Sequence, residues 1–284
     1  MAANLARAGV PLVVHDVNPA ATAALETTPG VTVVRSAADA AARAQVLFTC
    51  LPDDRAVSQV YLGPDGVVEA GRPELVTADC STVSAATTLE VHRALAARQI
   101  HHLDAPMLGS QPQAVAGEIF FIVGGERPWV ERLVPYLTIM GRRYMHVGPV
   151  GTANRVKLVH NALAAVMSVA VAEALAVCVQ AGVDPYVFYE VVRQGGGMAH
   201  STYFERRAKR VLDGDFTPTF TAALMWKDVG LALDLARDAR VPVPLLEETG
   251  RTYAEAVAAG WGREDFSAVS HVIERRIGRS LAPR

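Results

Sequence analysis

Up to about residue 150, short apolar runs alternate with longer segments of mixed polarity. The runs at 10–16, 31–34, 45–50, 75–79, 100–104, 119–123 and 143–147 are brief, rich in β-branched residues and bounded by turn formers, a pattern that predicts strands. Between them, 18–26, 53–62, 84–97 and 127–140 predict helices. Strands and helices in that alternation imply βαβ units and a mainly parallel sheet. Beyond residue 150 the strand signal disappears, and 184–194, 201–212, 220–239 and 245–259 predict helices. The chain therefore divides into an α/β domain, residues 1–150, and an all-α domain, residues 151–284.

One long helix joins them. From Thr152 to Ala181 no residue breaks a helix, Ala dominates, and Gly182 follows as a C-terminal cap before Asp184 and Pro185 open the next helix. At about 1.5 Å per residue this spine is roughly 45 Å long. Lys157 and Asn161 are four apart on it and share a face otherwise made of Val, Leu and Ala. An ammonium beside a carboxamide can hold a small oxygen-rich substrate, the lysine exchanging a proton and the asparagine orienting the oxygen. Taken alone, the pair also reads as a lysine reaching solvent and an asparagine bonding a neighbouring loop.

Composition narrows the possibilities. With 284 residues, 51% of them hydrophobic, the chain can bury a sizeable core. A net charge of −2 gives no reason to expect nucleic acid or a membrane as partner. Polar residues interrupt every apolar run of spanning length, and no signal peptide opens the chain, so the expectation is a soluble cytoplasmic protein. Cys50, Cys80 and Cys178 lie in apolar settings, which predicts reduced core thiols and no metal site.

Candidate chemistry collects at strand ends. Asp16 closes the run VVHD, where a dinucleotide-binding unit places an acid that accepts from both ribose hydroxyls of NAD and repels the 2′-phosphate of NADP. It equally suits a turn ahead of Asn18 and Pro19. Leu51 and Pro52 follow VLFTC, and Ser81 and Thr82 follow VTADC, all at carboxyl ends of strands, where open α/β sheets bind ligands. In the segment DAPMLGS, Gly109 permits close backbone approach, and its neighbouring amides with the Ser110 hydroxyl suit a carboxylate. Lys227 sits near the start of an apolar helix, an unfavourable place for a cation unless it has a partner elsewhere. The opening MAANLARAG is already helical. It resembles the tail of the helix that follows a Gly-x-Gly-x-x-Gly phosphate loop. The expectation is that the first residue is internal to a longer product carrying a first strand and that loop.

Together these segments resemble the β-hydroxyacid dehydrogenase family, which includes 3-hydroxyisobutyrate dehydrogenase, tartronate semialdehyde reductase and the glyoxylate/succinic semialdehyde reductases. MAANLARAG, VVHDVNP, LPDD, DCSTVS, DAPMLGS, GTANRVKLVHN, LMWKD and the closing VPVPLLEETGRTYAEAVAAGWGREDFSAV occur in family order over nearly the whole length. The resemblance implies a Rossmann-like parallel-sheet domain, truncated at its N-terminus, followed by an all-α substrate and dimerisation domain. It implies that Lys157 is the catalytic lysine and Asn161 the substrate-orienting asparagine. It assigns Asp16, Leu51, Pro52, Ala56, Thr82 and Lys227 to the nicotinamide cofactor, and Leu108, Gly109 and Ser110 to the substrate. Many relatives carry Ser-Gly-Gly at that last position; the variant here is similar to some glyoxylate-reducing members.

The expected activity is hydride transfer between NAD, with NADP as alternative, and a small β-hydroxy acid or its semialdehyde. Lys157 carries the proton on the oxygen, for which its ordinary pKa of about 10.4 must be lowered by burial. The resemblance also implies a homodimer or homotetramer, to which the Ala-rich spine lends close-packing positions. Two alternatives stay open at this point: an NADPH-dependent glyoxylate or succinic semialdehyde reductase, and a non-catalytic dimeric scaffold that lacks the nucleotide loop.

Overall fold

The computed structural model describes residues 1–282, which form two compact units, Met1–Lys157 and the residues from Leu158 onward. The first unit contains α1 (Ala2–Arg7), β1 (Leu12–Val14), α2 (Pro19–Glu26), β2 (Val31–Val33), α3 (Ala37–Arg43), β3 (Val46–Thr49), α4 (Asp54–Leu62) and α5 (Val67–Ala70). It continues with β4 (Val76–Asp79), α6 (Ala85–Ala96), β5 (His101–Asp104), β6 (Met107–Leu108), α7 (Gln111–Ala116), β7 (Ile119–Gly124), α8 (Arg127–Met140) and β8 (Gly141–Gly148). Side-chain caps set the helix starts: Asn18, Ser36, Asp53 and Ser84 each accept a backbone N–H of the first turn of α2, α3, α4 and α6.

The strands form two sheets. β3, β4 and β5 are parallel neighbours, β7 runs antiparallel to β5 and β6, and β8 pairs parallel with β7. This sheet is mainly parallel, as expected; β5 and β6 run in the same direction, and the chain reverses only after β6, through α7, to bring β7 back antiparallel to both. β1 and β2 make a separate parallel pair. Thus β1 has β2 as its strand neighbour and β3 has β4.

Alternation along β4 divides the first unit's core. Val76, Ala78 and Cys80 join a cluster with Val130, Leu133, Leu137 and Met140 of α8. Across the sheet, Val57, Tyr61, Val91 and Leu95 of α4 and α6 form another. Leu133 and Leu137 are essentially fully buried, each contributing about 1.5–3 kcal/mol by burial; Leu133→Ala would cost about 2–5 kcal/mol. Cys80 is in this core, but Cys50 is exposed. That corrects the expectation of three core thiols: Cys50 lies just past the end of β3, on the rim.

α9 (Thr152–Gln180) is one continuous helix of 29 residues. By length and composition alone it could cross a bilayer. Its buried polar positions, Asn154, Asn161 and Ser168, are those of a helix packed within protein, since each would be costly in hydrocarbon. The second unit adds α10 (Pro185–Gly195), α11 (Thr202–Asp213), α12 (Ala222–Asp238), α13 (Pro244–Ala258), two 3₁₀ turns and α14 (Ser270–Ile277). Leu158, Ala165 and Val169 pack with Met225, Val229, Tyr253 and Phe266. Farther along α9, Ala172, Leu175 and Ala176 pack with Tyr189, Phe204 and Val211.

Candidate active site

In the first unit the candidate cofactor residues stand at carboxyl ends of the parallel strands. Asp16 follows β1, is exposed, and accepts the Asn18 N–H at 2.8 Å; Asn18 in turn caps α2. Leu51 and Pro52 follow β3, and Ser81 and Thr82 follow β4. The Leu51 N–H donates to Ser81 Oγ at 2.8 Å, which joins the two strand ends. Ser81 Oγ donates to Asp79 at 2.5 Å and Thr49 Oγ1 donates to the same oxygen at 2.8 Å. Burial pushes the Asp79 carboxyl above its ordinary range, while these hydroxyls pull it back. Ala56 is held in the first turn of α4 by the Asp53 carboxylate, 2.8 Å from its N–H.

The Leu108–Gly109–Ser110 turn runs from β6 into α7. Gly109 has φ +126°, and a Cβ there would stand 2.9 Å from Ile119 Cδ1, so the position requires glycine. Ser110 is engaged locally. Its N–H and hydroxyl both donate to Gln113 Oε1, at 3.0 and 2.8 Å.

Lys157 belongs to a helical segment with a firm anchor. Buried Asp104, the last residue of β5, accepts the N–H groups of Gly151 and Asn154, each at 2.8 Å. A carboxylate at this end satisfies donors the helix cannot and complements its dipole. Burial raises the pKa of Asp104, and the backbone donors oppose that rise. Asn154 ties the same turn to the strand end: its Oδ1 accepts from the Val83 N–H at 3.2 Å, and its Nδ2 donates to Thr88 at 3.2 Å. The half-buried Lys157 starts one turn farther on, so its helix and the Thr82 turn are fixed to one frame.

In the second unit, Asn161 and Lys227 meet at a residue that was not among the expected site residues. Asp228 is 1% exposed; it accepts from Asn161 Nδ2 at 2.5 Å through Oδ2, and its Oδ1 lies 3.0 Å from Lys227 Nζ. Oδ1 lacks hydrogen-bond alignment despite that distance, so the Lys227 contact is an ion pair rather than a directed bond. The other end of the Asn161 carboxamide faces His160 Nδ1 at 3.0 Å. Sequence placed Asp228 beside Lys227 on an apolar helix; an acid in that setting was the available signal.

Residues 1–148 match the family described as the NAD binding domain of 6-phosphogluconate dehydrogenase. Residues 151–273 match that described as the NAD-binding domain of NADP-dependent 3-hydroxyisobutyrate dehydrogenase. The chain is 33% identical to 2-(hydroxymethyl)glutarate dehydrogenase of Eubacterium barkeri over 99% of its length and 93% of the relative's. This chain belongs to the β-hydroxyacid dehydrogenase family. The dehydrogenase is also 31% identical to the NAD-dependent L-serine dehydrogenase of Pseudomonas aeruginosa, over 98% of this chain and 95% of that one. Its fold matches the structure of Mycobacterium tuberculosis 3-hydroxyisobutyrate dehydrogenase with L-serine at a TM-score of 0.87 and 32% identity, covering 95% and 93% of the two chains. As a member it is an NAD(P)-dependent oxidoreductase of small hydroxy acids or semialdehydes.

The donor set of the first unit fits the cofactor. An exposed carboxylate, Asp16, suits a ribose diol, and the apolar Leu51, Pro52 and Ala56 with the Thr82 hydroxyl suit a nicotinamide ring and its amide.

Proposed function

We propose that this dehydrogenase interconverts a small β-hydroxy carboxylate and its semialdehyde, with Lys157 as the proton carrier and Asn161 as the residue that orients the reacting oxygen. The nicotinamide, when bound, supplies or accepts the hydride. During oxidation the neutral Lys157 amine takes the hydroxyl proton as the C–H pair leaves; during reduction the ammonium returns it to the oxygen. Asn161 offers its second Nδ2 hydrogen, because the first is committed to Asp228. The observation that carries this reading is the Asn161–Asp228 bond, which fixes a carboxamide four residues from Lys157 on the same helix.

Asp16 supports NAD over NADP, and Leu51, Pro52, Ala56, Thr82 and Lys227 are the proposed cofactor contacts. Leu108, Gly109 and Ser110 are proposed to receive the substrate carboxylate. The exposed apolar positions Val159, Leu163 and Val177 of α9 support a homodimer or homotetramer built on that helix, and the soluble metabolic relatives support a cytoplasmic enzyme.

Lys157→Met tests the proton role. Its kcat is expected to fall about 10²–10⁴-fold, with NAD binding by calorimetry unchanged. A variant that turns over within threefold of the parent removes Lys157 from the chemistry.

A further inference from the structure

The loop from Ser81 to Ser84 carries Thr82, a proposed cofactor contact, and side chains from three different elements hold its backbone. The Ser81 N–H donates to Asp79 Oδ1 at 3.1 Å, the Val83 N–H to Asn154 Oδ1 at 3.2 Å, and the Ser84 N–H to Asp54 Oδ1 at 3.0 Å. Asp79 ends β4, the strand that leads into the loop, and Asp54 opens α4, which also carries Ala56. Of the three, Asn154 is the one on α9, the helix of Lys157.

Asn154, Val83 and Thr88 are all buried. A buried N–H without an acceptor is costly, so the Val83 amide binds the loop to α9. The carboxamide has one orientation, because Thr88 Oγ1 spends its proton on Ser84 O at 3.2 Å and therefore accepts from Asn154 Nδ2, also at 3.2 Å. Its oxygen is thus the atom turned to Val83. The Asn154 backbone is clamped as well, its N–H donating to Asp104 Oδ2 at 2.8 Å. Residues three apart on a helix are neighbours on one face, which puts Lys157 on the side of α9 that Asn154 turns to the loop.

We infer that Asn154 is a positioning residue for the reaction, setting the Lys157 amine relative to the loop that presents Thr82. The inference rests on the reading of Lys157 as proton carrier and Thr82 as cofactor contact. In that reading the proton and the hydride leave adjacent atoms of one substrate, the hydroxyl oxygen and the carbon that bears it. The supports on either side must then keep a fixed spacing, since a misplacement of about 1 Å can cost about 10²-fold in rate. The Asn154 carboxamide joins those two supports directly.

Asn154→Ala removes both bonds of the carboxamide. Thr88→Val removes the Nδ2 acceptor but leaves Oδ1 to Val83, so it controls for lost stability. Hydrogen exchange of the full chain without cofactor is read first: the Val83 N–H should exchange about tenfold faster or more in Asn154→Ala, and much less so in Thr88→Val. Turnover is then followed with NAD and 3-hydroxypropionate, well below the unfolding midpoint of each variant. In Asn154→Ala, kcat should fall about 10–100-fold while the NAD dissociation constant by calorimetry stays within about threefold. Thr88→Val should keep both within about threefold. Asn154→Ser, whose hydroxyl is too short to reach Val83, makes the same reading should Asn154→Ala not fold. In a Lys157→Met background, Asn154→Ala should cause no further loss, as expected of residues that act through one another. Unchanged Val83 exchange, a kcat within about threefold of the parent, an equal loss in Thr88→Val, or an undiminished loss in the Lys157→Met background would each overturn the inference. Failure of the underlying reading shows separately: Lys157→Met alone then turns over within about threefold of the parent, and Asn154 has no proton carrier to position.

Discussion

Asn161 Nδ2 donates to the buried Asp228 Oδ2 at 2.5 Å, so the carboxamide on the Lys157 helix has one rotamer and one orientation. Asp228 also sits 3.0 Å from Lys227, which makes one carboxylate the common neighbour of a proposed substrate residue and a proposed cofactor residue. A positioning role for Asp228 follows from the proposed roles of those two residues. Asp228→Asn keeps the volume but removes the charge, and a hydrogen bond to a charged group is worth about 1.5–3 kcal/mol. The expected result is a fall in kcat/KM of about 10–100-fold, with Asp228→Glu recovering part of it. Steady-state kinetics of both variants decide this, and an unchanged Asp228→Asn enzyme would leave the pair a purely structural contact.

Asp16 has a local role that a charge-specific test must preserve. Its Oδ1 accepts the Asn18 N–H, and Asn18 starts α2. Asp16→Asn keeps an acceptor for that turn while removing the negative charge. If the carboxylate selects NAD by repelling a 2′-phosphate, the ratio of kcat/KM for NAD over NADP should fall at least about tenfold, the worth of a charge contact near 1.4 kcal/mol. A ratio that stays put would assign Asp16 to the turn alone.

The boundaries of most elements were legible because their causes are local. Asn18, Asp53, Ser84 and Asp184 cap helices with amides two or three residues away, within reach of any reading of adjacent residues. α3 was not read because AADAAAR has almost no apolar period to detect. β6 was missed because two residues in a Pro- and Gly-rich turn carry no alternation. The individual site residues were visible as types, but their connections were not. Asp228 lies 67 residues from Asn161, and Asp104 lies 47 and 50 residues from the two amides that it caps. Nothing periodic marks such pairs; only the fold brings them together.

His271 gives the second unit a pH dependence. Burial lowers its pKa, but the hydrogen bond to Glu274 at 2.6 Å and the charges of Glu274 and Glu264 outweigh that and hold it above the ordinary value of 6.5. The folded state therefore binds the proton more tightly than the unfolded one. The stabilisation is complete below pH 6.5 and is lost as pH rises through the folded pKa. Denaturant midpoints of the parent should fall across that interval, and His271→Gln should show no such fall. Parallel pH profiles of the two proteins would remove His271 as the cause.

Gly109 links backbone conformation to the proposed substrate turn. At φ +126° an L side chain is strained, and the added Cβ would meet Ile119 Cδ1 at 2.9 Å and Gln113 Cβ at 3.1 Å. Gln113 is the residue that holds the Ser110 N–H and hydroxyl, so the turn must shift where Ser110 enters α7. Gly109→Ala should cost about 1–3 kcal/mol of stability and raise the substrate KM while cofactor affinity stays the same. The clash with Ile119 Cδ1 can be separated from the strain in φ, because Ile119→Val deletes that atom. Adding Ile119→Val to Gly109→Ala should therefore recover part of the lost stability, although Ile119→Val alone costs about 0.5–1.5 kcal/mol. Thermal unfolding of the two single variants and the double variant measures the coupling. Simple additivity would mean that Ile119 does not set the space at this turn, and that the dihedral angle alone demands glycine.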